Sequence, residues 1–213
     1  MTINRRHLTL ALAAAPLATF PALAAAQGLA PGDQAMVDRA VGYLEGLTEA
    51  KAKFAQTDAH GRTTTGELFL KRPGKARFAY DPPSGLLVVS DGGVVSVQDK
   101  RLNTFDRYPL GTTPLSLFLA KTIRLDKGVS ITRVARQNDG FSITARDGKK
   151  ETAGTITLTF TDTPLALAGW TVTDAQGQPT RVQLIGLERA SGLDKSLFTL
   201  RDPRPKNPGR GKV

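Results

Sequence analysis

The sequence predicts a mainly β protein: one large, curved antiparallel sheet or open barrel of about ten strands. Three observations carry this. Short segments of alternating, β-branched-rich residues fill the chain from residue 63 onward. Turn dipeptides separate them: Asp91-Gly92, Asp139-Gly140, Asp147-Gly148 and Gln176-Gly177. Strands joined by such short turns must run antiparallel, because a parallel pair needs a long crossover, and no alternation of strand and helix is present.

The elements follow in order. Residues 1–26 (MTINRRHLTLALAAAPLATFPALAAA) read as a signal peptide, with Arg5 and Arg6 at the start, an apolar stretch from Leu8 and an Ala24-Ala25-Ala26 end. Pro16 and Pro21 oppose a stable spanning helix. The arginine pair fits twin-arginine export as well as an ordinary basic start. Cleavage is expected after Ala26, leaving a domain over 27–203. A helix is expected over Asp33–Leu47, where Val37, Ala40, Val41, Leu44 and Leu47 recur at steps of three and four, with Asp33 as N-cap. Nine strands are read at 63–71, 76–80, 86–90, 94–98, 129–136, 141–146, 155–161, 167–174 and 180–188. A short helix interrupts them in TTPLSLFLAK, where Leu115, Phe118 and Leu119 share a face and Thr113-Pro114 form a start signal. It plugs a barrel end or acts as a lid. The tail 204–213 is basic and is expected to be largely disordered.

Composition removes several functions. The 213 residues include no cysteine, so thiolate catalysis, disulfides and Cys-ligated zinc are out. The net charge of +10 falls to +8 once Arg5 and Arg6 leave (27 basic against 19 acidic residues). That favours acidic partners without choosing among them. Aromatic residues are 6% of the chain, thin for base stacking. Beyond residue 26 the one histidine is His60, in a turn, where a solvated side chain is the default. Asp81, Asp99 and Asp106 show no paired spacing for acid–base work, and no phosphate-binding loop is present. No enzyme activity, cofactor or metal is expected.

One block is more informative. Phe54-x-Gln56 is followed by Gly66-x-Leu68-Phe69-Leu70-Lys71-Arg72-Pro73-Gly74-Lys75-x-Arg77-Phe78, then Pro82, then Val89-Ser90-Asp91-Gly92. With the Thr113-Pro114-Leu115 helix and the closing Leu197-Phe198-x-Leu200, this resembles the LolA family of periplasmic carriers of outer-membrane lipoproteins. Phe69 departs from members that carry Trp there, and the basic tail has no counterpart. The resemblance implies an unclosed half-barrel with a helical lid over an apolar cavity. It implies periplasmic location and cargo of acylated lipoproteins, received from a LolCDE-type inner-membrane complex and passed to a LolB-type outer-membrane acceptor. It also implies that Arg72 bonds to the lid and holds the empty carrier shut.

The residues themselves leave this open. By alternation Leu68, Leu70 and Arg72 share one face of their strand, and Glu67, Phe69 and Lys71 the other. Arg72 is a lid latch or a strand-end cation in water. Phe78 and Tyr80, with Leu68, Leu70, Leu115, Phe118 and Leu119, line an acyl-chain cavity or form ordinary core. A monomer is expected. The alternatives are a half-barrel sensing module that binds a partner protein or mislocalised lipoprotein, and a carrier of another amphiphilic lipid.

Overall fold

The computed structural model describes residues 28–113, 115–121, 129–147 and 154–203. The expected signal peptide over 1–26, Pro114, Gly148 and the basic tail 204–213 lie outside them.

The first element is helix α1, Pro31–Gly46. It starts two residues before the expected Asp33 cap. Ala30 is the N-cap and Pro31 the first helical residue, because the fixed φ of proline suits that position and its missing N–H costs nothing there. Asp33 lies in the first turn, where its charge complements the helix dipole. Met36, Val37, Ala40 and Leu44 form the buried stripe.

Among the described residues eleven strands follow: β1 (Glu49–Thr57), β2 (Thr63–Lys71), β3 (Lys75–Tyr80), β4 (Leu86–Asp91), β5 (Val94–Asp99), β6 (Thr104–Pro109), β7 (Val129–Gln137), β8 (Gly140–Asp147), β9 (Thr155–Asp162), β10 (Leu165–Thr173) and β11 (Pro179–Arg189). Between β6 and β7 lie a 3-10 turn, Leu110–Thr112, and helix α2, Leu115–Leu119. The Thr113 hydroxyl donates back to Leu110 O at 2.8 Å. The nine strands read from the sequence are all present; β1 and β6 are additional.

All strands join one antiparallel sheet in the order β6-β5-β4-β3-β2-β1-β11-β10-β9-β8-β7. Two hairpin meanders therefore meet at a central β1–β11 seam, and the ends β6 and β7 stay unpaired with each other. Register breaks at Lys51/Lys53, Ile131/Arg133 and Leu167/Gly169 bend the sheet, as extra residues in a ladder do. The Asp91 turn behaves as read: its Oδ1 accepts Gly93 N and Val94 N, both at 2.9 Å, and these bonds hold the carboxyl below its ordinary value.

The concave side holds the core. Phe54, Leu68, Leu70, Phe78, Ile143, Leu158, Trp170 and Val182 face inward, and α1 and α2 pack onto them. Gly66 is glycine for a steric reason. A Cβ there would lie 2.3 Å from Ala79 O and 2.8 Å from the Phe54 ring. The convex side carries the alternate residues and is crossed by residues 190–198, which include a 3-10 turn at Lys195–Phe198. Among the described residues, no helix is long and apolar enough to cross a membrane.

Candidate functional site: the concave face and the KRPG turn

Alternation turns Leu68, Leu70, Phe78 and Tyr80 to the concave face. Leu68, Leu70, Phe78, Phe118 and Leu119 are buried, with Tyr80 and Leu115 partly buried, and all seven belong to one apolar cluster. Phe54 sits at its centre, edge-on to Phe78 (ring centroids 5.6 Å apart) and to Tyr80 (5.0 Å). Tyr80 donates its hydroxyl to Gln56 Oε1 at 2.7 Å. Burial pushes the phenol up to about 12, against the opposing effect of that hydrogen bond.

The two helices reach across the concavity. Helix α2 follows β6 at one end of the sheet, yet Phe118 stacks on Trp170 of β10, in the other meander, at 5.5 Å. Helix α1 places Tyr43 edge-on to Phe160 at 6.1 Å. Arg39 lies over the Phe141 ring and contacts Asp162 at 2.5 Å. That ion pair is half exposed and contributes little to stability.

The turn between β2 and β3 ties both helices to the sheet. The last carbonyls of a helix have no partner within it, and α1 has no basic residue in its last turn. Arg72 supplies one from outside. Its Nη1 donates to Leu44 O of α1, and its Nη2 donates to Ala120 O, one residue beyond α2, at 2.6 Å. One guanidinium thus bridges both helices, which the fixed fork of five donors allows. Its backbone N–H donates to Thr48 O at 2.7 Å. Burial lowers the guanidinium from its ordinary value, with the charge of Glu45 acting the other way. An arginine starts so high that it stays charged.

Gly74 adds a third tie. Its N–H donates to Leu119 O at 2.8 Å and its carbonyl accepts from the buried Ser90 hydroxyl at 2.6 Å. The residue has φ +76°, and a Cβ would stand 2.7 Å from Gly92 Cα, so only glycine fits. Lys71 does the reverse of Arg72. It points to the convex side, pairs with Glu49 at 2.9 Å and donates to Leu193 O at 2.8 Å.

Some of these contributors carry no role in the sequence reading: Trp170 and Arg189, whose Nη1 donates to Gly46 O at the end of α1, are not singled out there, and Phe54 and Gly74 appear only within the motif block. Trp170 carried a usable signal, being the one tryptophan of the chain on a strand with alternating pattern. Arg189 carried none, because its partner lies far away in sequence.

Fold and site together define a helix-covered half-barrel with an apolar concave face. Residues 45–201 match the family model described as "Outer membrane lipoprotein carrier protein LolA". The chain belongs to the LolA family. Similar relatives named outer-membrane lipoprotein carrier protein include one from Chromobacterium violaceum, 27% identical over 198 residues that cover 89% of this chain and 94% of the relative. Another, from Alcanivorax borkumensis, is 29% identical over 178 residues, 78% and 83% of the two chains. A crystal structure of an uncharacterized conserved protein from Thermus thermophilus aligns with a TM-score of 0.48 at 13% identity, covering 81% of this chain and 96% of that one.

Proposed function

We propose that this chain carries lipoproteins through the periplasm, holding their acyl chains on the concave face beneath a lid formed by α1 and α2. The observation that carries the reading is the way these helices are held. Their inner faces are apolar, and Arg72 fastens both through carbonyl bonds at one turn. Membership of the LolA family, among relatives named lipoprotein carriers, supports it.

The energetics suit the task. Each methylene removed from water gains about 0.8 kcal/mol. Several acyl chains are therefore worth on the order of tens of kcal/mol, and they cannot cross water unshielded. Movement from membrane to carrier exchanges one apolar host for another, so only a small difference remains. Phe118, Leu119, Met36, Val37, Ala40 and Leu44 occupy the concave face when it is closed. Cargo has to displace them and break the Arg72 bonds. The loaded state is thereby made less stable, which favours hand-off. In this reading Arg72 is the latch, and Leu68, Leu70, Phe78, Tyr80, Leu115, Phe118 and Leu119 contact acyl chains.

The same reading supplies the rest. Residues 1–26 direct export and are removed, 27–203 form the carrier, and 204–213 are a basic extension. Cargo comes from a LolCDE-type complex in the inner membrane and goes to an outer-membrane acceptor of the LolB type. No catalytic step is assigned. Mild extraction followed by mass spectrometry of what co-purifies is the test. Acylated protein is the expected result. Free lipid alone points to a carrier of another amphiphile, and recovery of neither acylated protein nor lipid overturns the carrier reading.

A further inference from the structure

Hairpin succession in an antiparallel meander sends alternate turns to opposite rims. The turns after β1, β3 and β5 share one rim, and the KRPG turn lies on the other. On the first rim, in the β5–β6 turn, stands Leu102, 66% exposed, ahead of Ile185 (51%) and Tyr108 (48%) among the exposed large hydrophobic residues. Lys100 and Arg101 precede it, both exposed.

This turn is built to hold its shape. Asp99 Oδ1 accepts Arg101 N at 2.8 Å and Leu102 N at 3.1 Å. Lys100 N donates to Gly85 O of the neighbouring turn at 3.2 Å. Asn103, at φ +53°, returns the chain to β6 in a left-handed conformation that asparagine tolerates. The carboxylate of Asp99 is committed to the turn's own N–H groups, while the two cations, their stems beside Gly85, and the leucine are exposed.

Single exposed leucines are common and need no explanation. The combination here is narrower: a rigid tip, one apolar side chain at its apex, and two adjacent cations. A stable protein interface needs about 800 Å² from each partner, far more than one such turn offers. A bilayer surface asks for less. An apolar side chain enters the headgroup boundary, and long basic side chains meet phosphates while their stems lie in apolar surroundings. Rigidity lowers the ordering cost of docking.

We propose that the β5–β6 turn is a membrane-contact tip, with Leu102 entering the interface of an anionic bilayer and Lys100 and Arg101 binding lipid phosphates. This rests on the carrier reading, in which cargo starts and ends in a membrane. Docking through this rim leaves the opposite rim, with Arg72, free to release the lid.

The test is co-sedimentation of the cargo-free mature protein with vesicles of phosphatidylethanolamine and phosphatidylglycerol, beside vesicles of phosphatidylcholine alone. Wild type is expected to bind the anionic vesicles, and Leu102→Asp to bind them about tenfold more weakly. Lys100→Glu with Arg101→Glu is expected to abolish the preference for anionic vesicles. Binding of an acyl-chain dye should be unchanged in all variants. Wild type that ignores vesicles, or Leu102→Asp that binds them as wild type does, overturns the tip. Intact vesicle binding with lost delivery to membranes in Leu102→Asp would place a protein partner at the leucine and equally overturn it. Wild type that fails to bind acyl chains would instead strike the carrier reading.

Discussion

Phe118 and Phe198 are equally buried, each 2% exposed, on opposite sides of one sheet. Phe118 anchors α2 on the concave side by stacking on Trp170. Phe198 anchors the C-terminal segment on the convex side, against β3 and β4 and apart from the concave cluster. Val89, which alternation turns to the same convex side, is buried as well. The two coverings differ in how they are fastened. On the concave side one turn holds both helices, through Arg72 and Gly74, and only α1 has further ties, from Arg189 and from Arg39 to Asp162. On the convex side they are spread out. Glu49 Oε2 accepts Leu193 N at 2.8 Å, Glu49 O accepts Ala190 N at 2.9 Å, Lys71 bridges Glu49 and Leu193 O, and Arg77 donates to Leu197 O at 3.2 Å. Ties gathered at one point can be released together, whereas distributed ties have to fail one by one. Burial alone therefore does not distinguish a movable cover from a fixed one.

Substitutions on the two sides test this contrast. The largest effect is expected from Phe198→Ala, which should cost about 3–5 kcal/mol of global stability in denaturant unfolding. Phe118→Ala should cost clearly less, because a short helix can resettle where a strapped segment cannot. Equal losses would erase the distinction between the two sides. Phe118→Asp should leave the fold intact and weaken binding of an apolar dye.

Next comes Arg72→Leu. Bonds from a charged donor contribute about 1.5–3 kcal/mol each, so losing them should shift the lid toward open by roughly tenfold or more. Cargo should be accepted but released poorly, and loaded carrier should accumulate. Normal release in a single-turnover transfer assay would reduce Arg72 to a structural cap of α1.

Lys71→Leu should act on the other side only. A lower melting temperature with unchanged cargo release is expected, the drop being smaller than for Phe198→Ala. Impaired release would show that the two faces are coupled through β2.

The smallest effect is one of pH. The Lys71 hydrogen bond, then the Leu193 N–H, hold the Glu49 carboxyl below its ordinary value, against the opposing effect of burial. A carboxyl depressed in the folded state stabilises above the unfolded value of about 4.3 and loses that contribution as pH falls through the folded value. The melting-temperature gap between wild type and Glu49→Gln should therefore be full above about pH 5 and close in acid. The Arg72 bonds go to backbone carbonyls, which do not titrate, and should show no such loss.

Much of the fold could be read from local patterns. The turns at Asp91-Gly92, Asp139-Gly140 and Gln176-Gly177 and the period-two segments mark strands, because turn chemistry and alternation act within a few residues. β1 has no strand signal of its own, because EAKAKFAQT is rich in alanine and lysine, which disfavour strands in isolation, and its place is secured by partners on both sides. β6 was hidden by its closing Pro109, tolerated because this strand is a sheet edge. In the site, alternation alone separated the faces of Leu68, Leu70 and Arg72 from that of Lys71. What Arg72 touches was not legible from alternation: Leu44 and Ala120 are distant in sequence and contribute backbone oxygens, which leave no mark in side-chain identity. The same holds for the convex strap, whose acceptors are mostly carbonyls.

The β1–β11 seam also bears on how the molecule assembles. Hairpins form between neighbours and close quickly, but β1 ends at Thr57 and its partner starts only at Pro179. Non-local pairing of this kind slows folding, since the entropy of closing the intervening chain is spent before any contact repays it. A chain emerging from its N-terminus holds its first meander with a bare β1 edge until nearly everything else has followed. The seam cannot pair until β11 has been made. Any holding factor that guards the nascent chain has a defined target in that edge, and a chain truncated before β11 loses the seam that joins its two halves.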